Sequence, residues 1–305
     1  MSIVVPAVDP RGLRTTLSVF RYGSGDPTTV VNPGGFLRAT HTPDGPATLL
    51  VRWGIDLRSS GSAPIDAEAW GPGAPWMLGR VDRLIGAADH GVVDPLGHPV
   101  VARAVRNHPG LRIGASGTLF HDIVPVVLGQ RITAGEAFAQ WRRLVEALGE
   151  PAPGPFPTLR LPPTPRALVD RPTWWYHPLG VERRRAETIR EIARRASHLW
   201  DWAELPAHDC AAKLVLLPGV GQWTIGSVLG PALGEPDAVA VGDFHLKNTV
   251  AHALAGEARG TDERMLELLE PYRGQRGRVV RLLQLDGHQA PKFGPRQRIL
   301  PMRHW

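Results

Sequence analysis

Residues 213–233 read K-L-V-L-L-P-G-V-G-Q-W-T-I-G-S-V-L-G-P-A-L, and the fold turns on how they are read. An apolar helix starting near Pro206, a residue suited to a first turn, ends near Leu217. Pro218-Gly219-Val220-Gly221 then makes a tight turn, and a second helix starts at about Gln222, with Trp223, Ile225, Val228 and Leu229 as inward positions. Two glycines around one apolar residue let the backbone turn sharply without a Cβ clash. They also leave main-chain N–H groups free at a helix N-terminus, where the helix dipole favours a phosphate oxygen. An ordinary corner between two helices is the alternative, because G-x-G alone is common.

Downstream lies Val239-Ala240-Val241-Gly242-Asp243-Phe244-His245-Leu246-Lys247. An apolar extended piece leads into Asp243, and residues 249–254 continue as helix, so Asp243 stands where an N-cap would. An Asp at a helix start is commonly only a cap. A capping carboxylate is also held rigidly by N–H groups, which suits it to stabilise an oxocarbenium-like sugar. The residues alone leave both roles open.

The chain has 305 residues, which suggests more than one subdomain, and its 43% hydrophobic content is that of a globular protein. Net charge +6 and a pI of about 10.2 point to a polyanionic partner, nucleic acid before acidic membrane, or to a basic surface kept for solubility. From Pro271 onward Arg273, Arg276, Arg278, Arg281, Lys292, Arg296, Arg298 and Arg303 face Asp286 alone, a candidate phosphate-binding cluster. Cys210 is the only cysteine, which excludes an intramolecular disulfide, a four-thiolate iron–sulfur cluster and a cysteine-rich zinc site, and suits a reducing cytoplasm. It reads as a small core residue. The first dozen residues lack signal-peptide character, and apolar runs such as 123–128 are too short to span a bilayer.

Residues 13–22, 36–41 and 47–55 alternate or are rich in β-branched and aromatic residues, with Gly/Pro/Asp turns between them. They predict a small antiparallel sheet, followed by a helical segment at 79–88. From Pro99 the pattern is helical over 118–130, 134–148 and 182–199. Arg183, Arg184, Glu187, Arg190 and Glu191 fall mainly off the apolar stripe of the last, as a solvated salt-bridged face. Residues 151–165 form a proline-rich connector.

Leu217-Pro218-Gly219-Val220-Gly221, followed by Asp243-Phe244-His245, resembles the signature of the helix-hairpin-helix DNA glycosylases. Within them the chain most resembles the bacterial 3-methyladenine DNA glycosylase II type. The stretches 120–130, 179–189 and 270–274 resemble, respectively, that family's helix into the minor-groove probe, its next helix and its C-terminal helix start. The resemblance covers residues 114–283 well and the N-terminal sheet loosely. It implies an α+β, mainly α fold, with an antiparallel β-sheet domain at 1–98 before a two-lobed helical domain at 99–305. Lobe one would be about 114–233, and lobe two about 99–113 plus 234–305. It makes Asp243 the catalytic aspartate. Gly219, Val220, Gly221, Gln222 and Thr224 would hold the DNA backbone, and Gln130 and Arg131 would fill the gap left by an extruded base. Trp223, Ser227 and Tyr272 would line the base pocket. The departures are Arg131, where the best-known relative places an apolar wedge, Ser227 in place of an expected tyrosine and Arg281 in place of an expected tryptophan. They bear on substrate range more than on the reaction. Trp174, Trp175, Tyr176 and Tyr272 could supply the missing aromatic faces or be core residues.

On this resemblance the protein is a monomer that needs no cofactor or metal, acts on duplex DNA with damaged bases, touches no membrane and works in the cytoplasm at the bacterial nucleoid. It flips alkylated purines, whose positive charge aromatic faces attract, and hydrolyses the glycosidic bond. It is monofunctional, because bifunctional relatives carry a lysine nucleophile where this chain has Trp223. The rivals are a non-catalytic helix-hairpin-helix DNA-binding or damage-sensing protein, and a glycosylase for uracil, hypoxanthine or an oxidised base.

Overall fold

The computed structural model describes residues 1–8, 10–54 and 63–291. The architecture is α+β and mainly α. An N-terminal antiparallel sheet contains β1 (Ser2–Val8), β2 (Thr29–Asn32), β3 (Gly35–Thr42), β4 (Gly45–Trp53) and β5 (Ala63–Trp70), in the order β1-β5-β4-β3-β2. β3 and β4 pair over their full length, Phe36 opposite Val51 and Thr42 opposite Gly45. The turn between them is two residues long, and Gly45, the first residue of β4, takes φ +115°.

The expected strand at 13–22 is instead a helix, Pro10–Leu17, followed by a single 3₁₀ turn, Ser18–Phe20. Leu13, Leu17 and Phe20 are buried against the sheet. Their spacing of four and three is a helical stripe, which outweighs the β-branched Thr15, Thr16 and Val19 around it. The end of the expected strand at 47–55 lies outside the described residues.

Two further apolar clusters form the helical part. One gathers Leu119, Ile123, Val127, Trp141, Ile189, Leu214, Val228 and Leu229. The other gathers Val93, Val101, Val250, Met265, Leu269, Val279 and Leu283. The helix Ala134–Leu148 coincides with the expected segment, and Thr133 caps it by accepting from Glu136 N. The expected helix at 182–199 divides into Arg183–Arg194 and Ala196–Trp202. Its polar face is ion-paired as its sequence suggests, Arg183 with Glu187 and Arg194 with Glu191. Cys210 is buried, and burial pushes its thiol up to about 11.

A buried ion pair bolts the sheet to the first helical cluster. Arg38 on β3 donates to Asp122 at 2.8 Å, and both are fully buried. Arg38 also donates to Phe20 O and Thr118 Oγ1. Removing one partner would strand a buried charge, so the pair fixes how the sheet sits on the helix Leu119–Leu128. The strap before that helix is held from the other side, where Ser116 N and Gly117 N donate to Pro231 O and Ala232 O of the helix Gln222–Leu233. Among the described residues no helix is long and apolar enough to cross a membrane.

Candidate active site

The turn at 218–221 joins the helices Ala207–Leu214 and Gln222–Leu233. Its two glycines do different work. Gly219 has φ +85°, and a Cβ there would collide with Thr188 Oγ1 on the neighbouring helix. Gly221 is extended (φ −110°, ψ −175°), with nothing near its missing Cβ. The expectation that both glycines relieve a Cβ clash is therefore corrected for Gly221, whose bareness leaves open space over the amides of the helix start. As N-cap it provides no side chain to satisfy them.

Two expected backbone-binding residues turn inward. Val220 is buried in the core and its N–H donates to Leu217 O at 3.0 Å, so that amide is already used. Thr224 is only 1% exposed, and its hydroxyl accepts from Gln130 Nε2 at 3.0 Å rather than facing solvent. Gln222 and Gly221 are exposed.

Asp243 follows Gly242, which has φ +91° and is held by Asp262 Oδ1. The N-cap position of the helix Leu246–Ala255 falls to His245 rather than Asp243, but Asp243 Oδ1, from two residues earlier, accepts from His245 N and Leu246 N, each at 2.8 Å, and so ties down the helix start. Asp243 Oδ2 accepts from Trp223 Nε1 at 3.0 Å. The carboxylate is half-buried and tied to both the start of that helix and the first turn after the hairpin. Gly226 completes the placement. A Cβ on this helix-interior glycine would collide with Val239 O, so the chain leading to Asp243 lies directly on the helix Gln222–Leu233. Sequence reading passed over Gly226, although a glycine inside a helical pattern signals close backbone approach.

Asp243 lines a cleft of about 300 Å³ between the two helical clusters and the N-terminal unit. Ser227, Glu235, Ala240, Arg281 and Gln284 share it, with Thr15, Thr16 and Val19 forming the N-terminal wall. Among the described residues no aromatic side chain lines it. Tyr272, an expected pocket residue, is instead buried, because the apolar cluster with Leu269, Val279 and Leu283 takes its ring, and its hydroxyl donates to Pro95 O. Tyr176 is fully buried, Trp175 packs beside it and Trp174 is exposed. None of these supplies the missing faces. Trp223 stands beside the cleft through its bond to Asp243, and Ser227 Oγ donates to Trp223 O at 2.7 Å.

At the end of the helix Leu119–Leu128, Arg131 is exposed with φ +61°, a left-handed conformation unusual for a residue with a Cβ. Gln130, expected beside it as a gap-filler, donates to Gly219 O at 2.9 Å as well as to Thr224, and so is bonded to the hairpin.

The C-terminal basic cluster is corrected where it can be seen. Arg273 pairs with Glu270, Arg276 with Asp237 and Arg278 with Asp89, while Arg281 is turned inward to Thr15 O and Ser18 Oγ. Arg276, Arg278 and Arg281 are thereby tied into the fold rather than forming a free phosphate-binding face, whereas Arg273 stays exposed beside Glu270. Lys292, Arg296, Arg298 and Arg303 lie outside the described residues. Lys247 is paired with Asp262 at 3.2 Å.

No family profile matches the chain. It is 22% identical over 205 residues, 64% of its own length and 70% of the other's, to YfjP of Bacillus subtilis (strain 168), provisionally named a DNA-3-methyladenine glycosylase. The structure superposes on 3-methyladenine DNA-glycosylase from Archaeoglobus fulgidus with a TM-score of 0.71 and 19% identity, covering 94% of this chain and 98% of that one. It superposes on the 8-oxoguanine glycosylase/lyase of Clostridium acetobutylicum, solved with double-stranded DNA, with a TM-score of 0.64 and 12% identity, covering 93% and 96%. The chain thus has the fold of these DNA glycosylases, with a hairpin turn and an aspartate bonded to the helix that follows it.

Proposed function

We propose that the protein is a monofunctional DNA glycosylase of base-excision repair, hydrolysing the bond between a damaged base and its sugar in duplex DNA. One observation carries this reading: the Asp243 carboxylate, on the edge of a base-sized cleft, is fixed by two helix amides and by the indole that follows the hairpin. The open amides at Gly221 and Gln222 would take a phosphate beside the lesion. Arg131 would enter the stack as the base leaves it. Asp243 would then stabilise the positive charge that develops on the sugar and orient the attacking water. Water is the only nucleophile in this scheme. Trp223 cannot form an imine, and Lys247 is held by Asp262. The base is a damaged purine, with alkylated purines the class that the names of YfjP and the A. fulgidus protein bring to it.

The test uses duplexes that each carry one lesion, followed by alkali to break abasic sites. Release of at least one damaged base, with no strand break before alkali and no borohydride-trapped adduct, is expected. Lesion-selective binding without release would favour a damage-sensing protein. A trapped adduct lost on Lys247→Ala would place an amine in the reaction.

A further inference from the structure

Four arginines follow Pro271 within the described residues, and three have a carboxylate partner: Arg273 with Glu270, Arg276 with Asp237, Arg278 with Asp89. Arg281 is the exception. It lines the same cleft as Asp243, and its Nη2 donates to Ser18 Oγ at 2.8 Å and to Thr15 O at 3.2 Å, both neutral acceptors. No carboxylate pairs with it among the described residues. Burial alone lowers its pKa, with no acidic neighbour acting against it. A guanidinium stays charged even so. A largely buried positive charge with no carboxylate bonded to it is held at a desolvation cost, and an acceptor brought in by a ligand would offset that cost.

Resting on the glycosylase reading, we infer that Arg281 is a specificity-determining residue that turns the cleft toward damaged bases that are neutral and carry an acceptor, such as deaminated, oxidised or neutral alkyl-adduct purines, and away from permanently cationic N3- or N7-methylpurines.

Two physical effects work in the same direction. Among the described residues no aromatic side chain lines the cleft to attract a cationic purine, and although Asp243 and Glu235 stand on other walls, a base seated against Arg281 meets a fixed guanidinium that repels a positive charge. A neutral base can accept from Arg281 and meets no such repulsion. The leaving groups differ as well. When the bond from C1′ to a cationic purine breaks, its electron pair neutralises the base, and the base departs without help. A neutral base receives the same pair and departs as an anion, which a nearby guanidinium stabilises. In that case one water is consumed, its hydroxyl bonding C1′ and its proton ending on the departed base. Gln284, one turn after Arg281 and lining the same cleft, adds an amide that can both donate and accept. Asp243 would act on the sugar in either case, so Arg281 governs which base is taken and not whether hydrolysis occurs.

The measurement is the rate of release relative to the uncatalysed rate, from otherwise identical duplexes carrying hypoxanthine, 1,N6-ethenoadenine, 3-methyladenine or 7-methylguanine. The wild-type protein should show the larger enhancement on the neutral bases. Arg281→Gln should lower that enhancement by on the order of 10- to 100-fold, the range for losing a hydrogen bond to a charged group, and leave the cationic bases unchanged or faster. Arg281 also anchors the N-terminal wall, so Arg281→Lys serves as a second variant that keeps the charge and should keep the discrimination against cationic bases. An equal or larger wild-type enhancement on 7-methylguanine and 3-methyladenine overturns the inference and leaves the glycosylase reading intact. So does an Arg281→Gln protein that loses all four activities in equal proportion. Release of no lesion at all overturns the glycosylase reading itself, and this inference with it.

Discussion

Trp223 Nε1 donates to Asp243 Oδ2 across 3.0 Å, joining the first turn after the hairpin to the candidate catalytic carboxylate. On the proposed reading this bond positions the carboxylate. Trp223→Phe keeps a flat ring and removes only the donor. A hydrogen bond to a charged group contributes about 1.5–3 kcal/mol, so single-turnover excision should fall by roughly 10- to 100-fold while DNA affinity holds. An unchanged rate would mean that the two amides at Asp243 Oδ1 suffice to place it.

Asp243→Asn should abolish excision, by on the order of 10²-fold or more, because the charge that meets the developing sugar cation is gone. The substitution is not structurally silent. An asparagine oxygen can still accept from the start of Leu246–Ala255, but its amide then turns a donor toward the donor on Trp223. A small loss in Tm, of the size of one hydrogen bond, should accompany intact binding to lesion DNA. Wild-type excision by the variant would remove Asp243 from the chemistry.

The parts that were legible in the sequence are those whose signals are local. A left-handed glycine at Gly219 and an Asp243 bonded to a helix start each announce themselves within a few residues. Long helices were legible for the same reason, as with Ala134–Leu148. The cleft was not, because its lining comes from both ends of the chain, Thr15 to Val19 on one wall and Gly277 to Gln284 on another. Whether Tyr272 or Arg281 faces it depends on tertiary packing that no short window carries. Periodicity also gives a stripe without saying what covers it, which is how Thr224 and Val220, next to an exposed turn, come to be buried.

Gly219 and Gly221 should separate fold from binding. Gly219→Ala meets Thr188 and an unfavourable φ, and should lower Tm. Gly221→Ala meets nothing and has ordinary backbone angles, so its Tm should match the wild type or exceed it slightly. A phosphate seated on the helix-start amides would nonetheless meet the new methyl. Affinity for every duplex should drop alike, and the log–log salt slope should shrink by about 0.9 for each phosphate the protein no longer holds. Normal binding by a folded Gly221→Ala protein would rule out phosphate capture at this turn.

Gly226 reverses a common rule. Glycine inside a helix is worse than alanine by about 1 kcal/mol, so Gly→Ala there usually stabilises. Here the added Cβ would collide with Val239 O, forcing apart the helix and the chain that carries Asp243. Gly226→Ala should therefore lower Tm and lower kcat more than it lowers DNA affinity. A higher Tm with full activity would show that the close approach is dispensable.

Gln130 and Arg131 should fail in different ways. Arg131 is exposed and held at φ +61°, a strain that persists only where the surroundings impose it. Removing its side chain should leave Tm unchanged and slow excision from well-paired duplex far more than from mismatched sites, where flipping is cheap. Gln130 sits beside it but spends its amide on Gly219 O and Thr224 Oγ1, so it acts as a strut between the turn at Arg131 and the hairpin. Gln130→Leu should then mimic Arg131→Ala in its preference for mismatched sites by letting that turn drift. Thr224→Val removes one of the strut's two anchors while keeping the buried shape. If Gln130 works through the hairpin, the two changes share one interaction, and the double variant should lose less than the sum of the single losses. Strictly additive losses would instead put the Gln130 amide on the DNA and separate the turn at Arg131 from the hairpin.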